Sequence, residues 1–73
     1  MPTLQALSMT HKQTEAAADW VIVHGFGRTP AVNVSINYEG KLQVVLPREV
    51  IIDSPNQVTV KFSAPQTGEA RLN

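Results

Sequence analysis

The sequence predicts an all-β fold: a small antiparallel β-sandwich, immunoglobulin-like or barrel-like, of about six to seven short strands behind an N-terminal arm. Three observations carry this expectation. Two segments, 31–37 and 57–63, alternate apolar and polar residues with the period of a half-buried strand. Turn-forming residues punctuate the chain every few positions from residue 25 onward. No helical crossover of 10–15 residues separates the strands, and parallel pairing needs one.

Residues 1–18 hold few large apolar side chains and end in Thr14-Glu15-Ala16-Ala17-Ala18. They read as an arm, 1–17, with a strand near Ser8–Gln13 and then a polar-to-alanine loop. Leu4, Leu7 and His11 share one helical face, so a short helix is the alternative. The sandwich domain then occupies 18–73. Its first strand is WVIVH (20–24), with Trp20, Ile22 and His24 of one parity and Val21 and Val23 of the other. Gly25, Gly27 and Pro30 mark the connector: glycine permits positive φ, and proline fixes φ before the next strand.

AVNVSIN (31–37) directs Val32, Val34 and Ile36 to one face. Tyr38-Glu39-Gly40-Lys41 is a hairpin turn with Gly40 in the left-handed region. KLQVVL (41–46) stops at Pro47, which cannot donate to a ladder. A short strand over 49–52 ends at Asp53-Ser54-Pro55-Asn56. QVTVKFS (57–63) points Val58, Val60 and Phe62 inward, Ala64-Pro65-Gln66-Thr67-Gly68 reads as a turn, and EARLN (69–73) points Ala70 and Leu72 inward. The expected core is Trp20, Ile22, Val32, Val34, Ile36, Val58, Val60, Phe62 and Leu72, the positions that share period-two parity on successive strands.

Seventy-three residues make a single domain whose core is marginal, because chains this short bury only about 60% of their unfolded surface. The absence of cysteine removes disulfides and thiolate metal sites, and two histidines are a poor basis for zinc. Oligomerisation or docking onto a larger assembly is the remaining remedy. Six basic residues balance six acidic ones, without the basic excess that neutralises phosphates, so nucleic acid is not an expected partner. No apolar run approaches the ~20 residues that span a bilayer. The N-terminus lacks the charged and apolar regions of a signal peptide. A soluble protein made in a cytoplasm is expected.

Catalysis requires a nucleophile or an acid–base pair held by an orienting group. His24 beside Asp19, with Ser35 or Ser63, makes a triad on paper, but no nucleophile-elbow signature accompanies it. Glu49 and Asp53 read as solvated strand-end charges, and Gly25-Phe26-Gly27 lacks the lysine and helix of a phosphate loop. His24 is expected to face the core with its ring nitrogens bonded to turn backbone, and Trp20 to anchor the core while its N–H finds one partner. No catalytic residue, cofactor or metal ligand is assigned, and a small hydrolase or regulatory protein is the weakest of the readings.

The string His11-Lys-Gln13, a polar spacer, then Trp20-x-Ile22-x-His24-Gly-Phe26-Gly27-x-x-Pro30-x-Val32-x-Val34 resembles a small β domain of tailed-bacteriophage virion proteins. That domain has the usual form H-x-Q, then W-x-I-x-H-N-L-G-x-x-P-x-V-x-V. It continues with a D-x-N-x-V-T-V-x-F strand and a terminal S-x-P-x-x-G-x-A-x-L-N. This chain supplies Asp53-Ser54-Pro55-Asn56-Gln57-Val58-Thr59-Val60-Lys61-Phe62, then Ser63 to Asn73, so the likeness runs from about Ser8 to the last residue. Gly25-Phe26 stands where Asn-Leu is usual, and Val21 and Val23 stand where threonine is common.

The resemblance implies a virion structural protein, an accessory subunit that binds other phage proteins as a capsid decoration or cement protein or as a tail or baseplate adaptor. The alternative is a receptor-binding module of tail-fibre type, touching a host glycan or surface protein through Arg28-Thr29, Glu39-Lys41 and Gln66-Thr67. The module is expected to be the whole gene product, located in the virion after assembly in the host cytoplasm. A homo-oligomer, trimeric by the same resemblance, or a lattice contact is expected. Leu4, Leu7 and Met9 of the arm, with Val21 and Val23 on the face opposite Trp20, are the expected partner-binding residues.

Overall fold

The computed structural model describes residues 7–73. They form one antiparallel sheet of five strands: β1 (Met9–Val23), β2 (Val32–Tyr38), β3 (Lys41–Val45), β4 (Glu49–Ser54) and β5 (Gln57–Leu72). The all-β expectation holds, and no helix occurs among the described residues. The strand count differs from the six to seven expected, because two pairs of short strands are each one long strand. The segments near 8–13 and 20–24 belong to β1, and those at 57–63 and 69–73 belong to β5.

These long strands pair with one another from Met9↔Leu72 to Val23↔Gln57. The turn grammar at 14–18 and 64–68 therefore marks bulges within a ladder rather than chain reversals. Residues 14–16 of β1 oppose Thr67 alone, and residues 62–65 of β5 oppose Ala18 alone. Pro65 lies in that interruption, where no ladder N–H is called for. Extra residues bend a strand and raise its twist.

The connector between β1 and β2 shows how far the ladder bends. Gly25 N–H donates to the Asn56 carbonyl at 3.1 Å, and Ala31 exchanges two backbone bonds with Asn73 at 3.0 Å. Gly25 and Ala31 are six residues apart, a reach of at most about 22 Å. Asn56 and Asn73 flank the two ends of β5, about 56 Å apart were that strand straight. β5 must therefore turn back on itself at its bulge, and β1 follows it.

The core occupies the inside of this bend. Trp20, Ile22, Val34, Val58, Val60, Ala70 and Leu72 are buried in one cluster, with Met9, Ala17, Phe26, Val32, Ile36, Val45 and Phe62 packed half-buried against it. All nine residues expected in the core are in one of these two sets. Trp20 secures the corner: its indole N–H donates to the Ala17 carbonyl at 2.9 Å and faces the Gln66 carbonyl at 3.3 Å. Its ring lies 4.7 Å from that of Phe62, so one side chain ties both bulged strands together.

On its other edge, β5 changes partner at the bend. Its last residues pair with β2 (Val32↔Leu72 to Ile36↔Gly68), and β2 carries β3 through the Tyr38–Lys41 hairpin. The φ values of +50° at Glu39 and +80° at Gly40 give both central residues of that turn the left-handed conformation of the type I′ hairpin. The first residues of β5 pair instead with β4, from Glu49↔Lys61 to Ser54↔Gln57. Gly68 is required by close approach: a Cβ there would meet the Ser35 carbonyl oxygen and lie 2.7 Å from the Ile36 Cα.

Candidate assembly surface

The sheet sorts its apolar residues into two populations. On β1, Trp20 and Ile22 are 0% and 1% exposed, whereas Val21 and Val23 are 56% and 69% exposed. Strand parity alone accounts for the contrast. Cross-strand pairing aligns Val21 with Thr59 of β5, and Thr59 with Ile51 of β4, so Val21 and Ile51 flank Thr59 in one row across the outer face. The two valines therefore stand on the face opposite Trp20, as their parity requires.

The arm residues are distributed differently. Leu7 is exposed just before β1. Met9 is the first residue of β1, opposite Leu72, and packs half-buried against the chain's own core. Leu4 lies outside the described residues. The boundary expected at residue 17 falls inside β1, because Lys12, Gln13 and Ala17 continue the ladder with Glu69, Gly68 and Gln66.

Most of the exposed large hydrophobic residues lie where strand grammar did not single them out. Of ten exposed large hydrophobic residues among those described, six fall between positions 42 and 52: Leu42, Val44, Leu46, Val50, Ile51 and Ile52. Leu46 is 97% exposed and Val44 78% exposed. All six residues of β4 are exposed, though Val50, Ile51 and Ile52 keep only 36–44% of their surface, so both faces of the strand are covered only in part. β3 pairs only with β2 and β4 only with β5, which leaves a free backbone edge on each among the described residues. The signal was present in the sequence as LQVVL and VII on either side of Pro47, runs more apolar than one-sided alternation requires.

The polar candidates are not brought together. His24 Nδ1 accepts the Phe26 backbone N–H at 3.0 Å, its ring sits edge-on to Phe26 at 4.8 Å, and its Nε2 is buried with no partner. That geometry fixes the proton of the neutral ring on Nε2. Asp19, five residues back along β1, sits opposite Lys61, and Ser35 lies on β2 opposite Glu69. Glu49 and Asp53 stand at opposite ends of β4, about 13 Å apart along the strand. Asp53 accepts from Thr59 at 2.6 Å and Gln57 at 3.2 Å, a role that braces the β4–β5 turn. Among the described residues no three His, Asp or Glu side chains form a cluster suited to a metal ion.

The connector is also held by side chains. Asn56 receives the Gly27 N–H on its Oδ1 at 2.8 Å, and Arg28 lies over the Phe26 ring at 5.4 Å while reaching the Asn73 carbonyl at 3.2 Å. Gly25 and Gly27 adopt φ of +70° and +72°, the conformations their place in the connector calls for. A shallow depression of about 420 Å³ lies elsewhere, bordered by Lys12, Gln13, Asn37, Leu42, Thr67 and Glu69. Asn37 donates to the Thr67 hydroxyl at 3.0 Å on its rim.

No protein family model, no curated protein and no solved structure matches the chain. The functional reading therefore rests on the residues and on their placement.

Proposed function

We propose that this chain is a structural protein of a tailed-bacteriophage virion, a small accessory subunit that binds other virion proteins as a capsid decoration or a tail or baseplate adaptor. The observation that carries the reading is the ordered string from His11 through Trp20, His24, Gly27 and Pro30 to the terminal Gly68-Glu69-Ala70-Arg71-Leu72-Asn73. The exposed apolar residues of β3 and β4 support it, since apolar side chains left exposed together on a small domain are what protein partners cover. In this reading the bent sheet is a small sandwich, its two halves stacked about Trp20. The protein acts by binding alone, without a cofactor, and resides in the particle after assembly in the host cytoplasm.

A receptor-binding module is the second reading. The depression between Lys12, Gln13, Asn37 and Thr67 presents hydrogen-bonding groups of the kind that engage sugars. Mass spectrometry of purified particles with copy counting tests the first reading: the protein should be present in a copy number that is a multiple of the symmetry of its location. Absence from particles overturns it. Retention of the protein on a host-glycan array, with loss on Asn37→Ala, favours the second.

A further inference from the structure

From the free edges of β3 and β4 we infer that the chain binds a second copy of itself head to tail, the β3 edge of one subunit pairing with the β4 edge of the next. Monomeric sheets blunt their edges with charges, proline or bulges. β1 is so protected: its free edge carries Lys12, Glu15 and Asp19 and is bulged between Gln13 and Asp19. β4 is bulged only at its end, between Ile52 and Ser54, and β3 has no bulge; the charges of both stand at the ends of KLQVV and EVIIDS, leaving Leu42, Val44, Val50, Ile51 and Ile52 exposed between them.

The end charges identify the occupant. The β3 edge begins with a cation, Lys41, and the β4 edge carries two anions, Glu49 and Asp53. Antiparallel pairing that sets Lys41 opposite the partner's Asp53 also sets Leu42 opposite the partner's Ile52 and Val44 opposite the partner's Val50. That register matches one charge pair and two apolar pairs, while Gln43 faces the partner's Ile51 and Val45 the partner's Glu49 at the open end. Pairing β4 with its own copy about Ile51 would oppose Glu49 to Asp53, two like charges, and would leave β3 uncovered. Such an interface joins two different edges, so each subunit keeps one of each free until a ring closes. The inference deepens the reading of the chain as an assembly protein, but it concerns the purified protein alone.

Cysteine pairing tests it directly, because the natural chain has none. Leu42→Cys protein mixed with Ile52→Cys protein should form a disulfide-linked dimer under mild oxidation, at least tenfold more abundant than in either variant alone. Val44→Lys should reduce the native oligomer to the 8.0 kDa monomer in analytical ultracentrifugation while its circular dichroism stays that of β structure. Wild-type protein that sediments as a monomer at several hundred micromolar overturns the inference. So do disulfides that form as readily within each single variant as in the mixture. Self-association without the protein's presence in virions would instead overturn the proposed function and leave the inference standing.

Discussion

The β1–β5 ladder and the β3–β4 segment are both rich in β-branched and apolar residues, yet the molecule treats them in opposite ways. Trp20, Ile22, Val58, Val60 and Leu72 lie at 0–1% exposure, whereas Val44, Leu46, Val50, Ile51 and Ile52 lie between 36% and 97%. Hydrophobicity does not separate the two groups. What separates them is whether the chain itself supplies an opposing surface. The ladder bends at its bulges and provides its own cover, while β3 and β4 flank the bend on short strands that are covered only in part. On the proposed reading, this exposed apolar surface is where a partner binds.

The contrast can be broken most forcefully from inside the ladder. Trp20→Ala removes the indole that packs on Phe62 and bonds the two bulged strands. It should cost about 3–5 kcal/mol, enough to unfold a domain of this size, and urea denaturation followed by circular dichroism measures the loss. Near-wild-type stability would show that the corner is held by something else.

Gly68→Ala comes next, at about 3 kcal/mol, because its Cβ would be forced against the Ser35 carbonyl and Ile36. Gly40→Ala, in open space but at φ +80°, should cost only about 1 kcal/mol. Equal effects of the two on thermal denaturation would refute the role of close approach. Asn56→Ala removes the acceptor of the Gly27 N–H and should also cost about 1 kcal/mol, with faster amide exchange across the connector. The smallest effect belongs to the uncovered segment. Leu46→Gln should change the thermal stability of the isolated protein by no more than about 0.5 kcal/mol, since its side chain touches little within the chain. A larger loss would place Leu46 in the fold rather than at its surface.

Much of this arrangement was legible one residue at a time. Parity assigned Trp20 and Ile22 inward and Val21 and Val23 outward, and the same rule placed Val34, Val58, Val60, Ala70 and Leu72 in the core. Gly40 marked its hairpin because only a left-handed residue completes a type I′ turn. His24 was expected to bond turn backbone through its ring nitrogens; Nδ1 accepts the Phe26 N–H, while Nε2 is buried with no partner. The arm was harder to read. Thr14 to Ala18 offers no apolar alternation, so nothing local distinguishes a loop from a bulge opposite Thr67. The uncovered surface was harder still, because burial of both faces and exposure of both faces favour the same run, Val50-Ile51-Ile52.

By itself, then, the sequence determined the all-β class, the face each strand residue takes and the turn positions, Gly25, Gly27 and Gly40, where the backbone needs glycine. Those properties follow from period-two geometry and local sterics, which act within a few residues. The tertiary structure alone decided that four expected strands are two, that Pro65 and Gly68 lie within a bent strand, and that β4 joins β5 rather than β3. A backbone hydrogen bond is satisfied equally well by any strand that arrives in register. The choice among partners was therefore settled by which arrangement closes the core around Trp20.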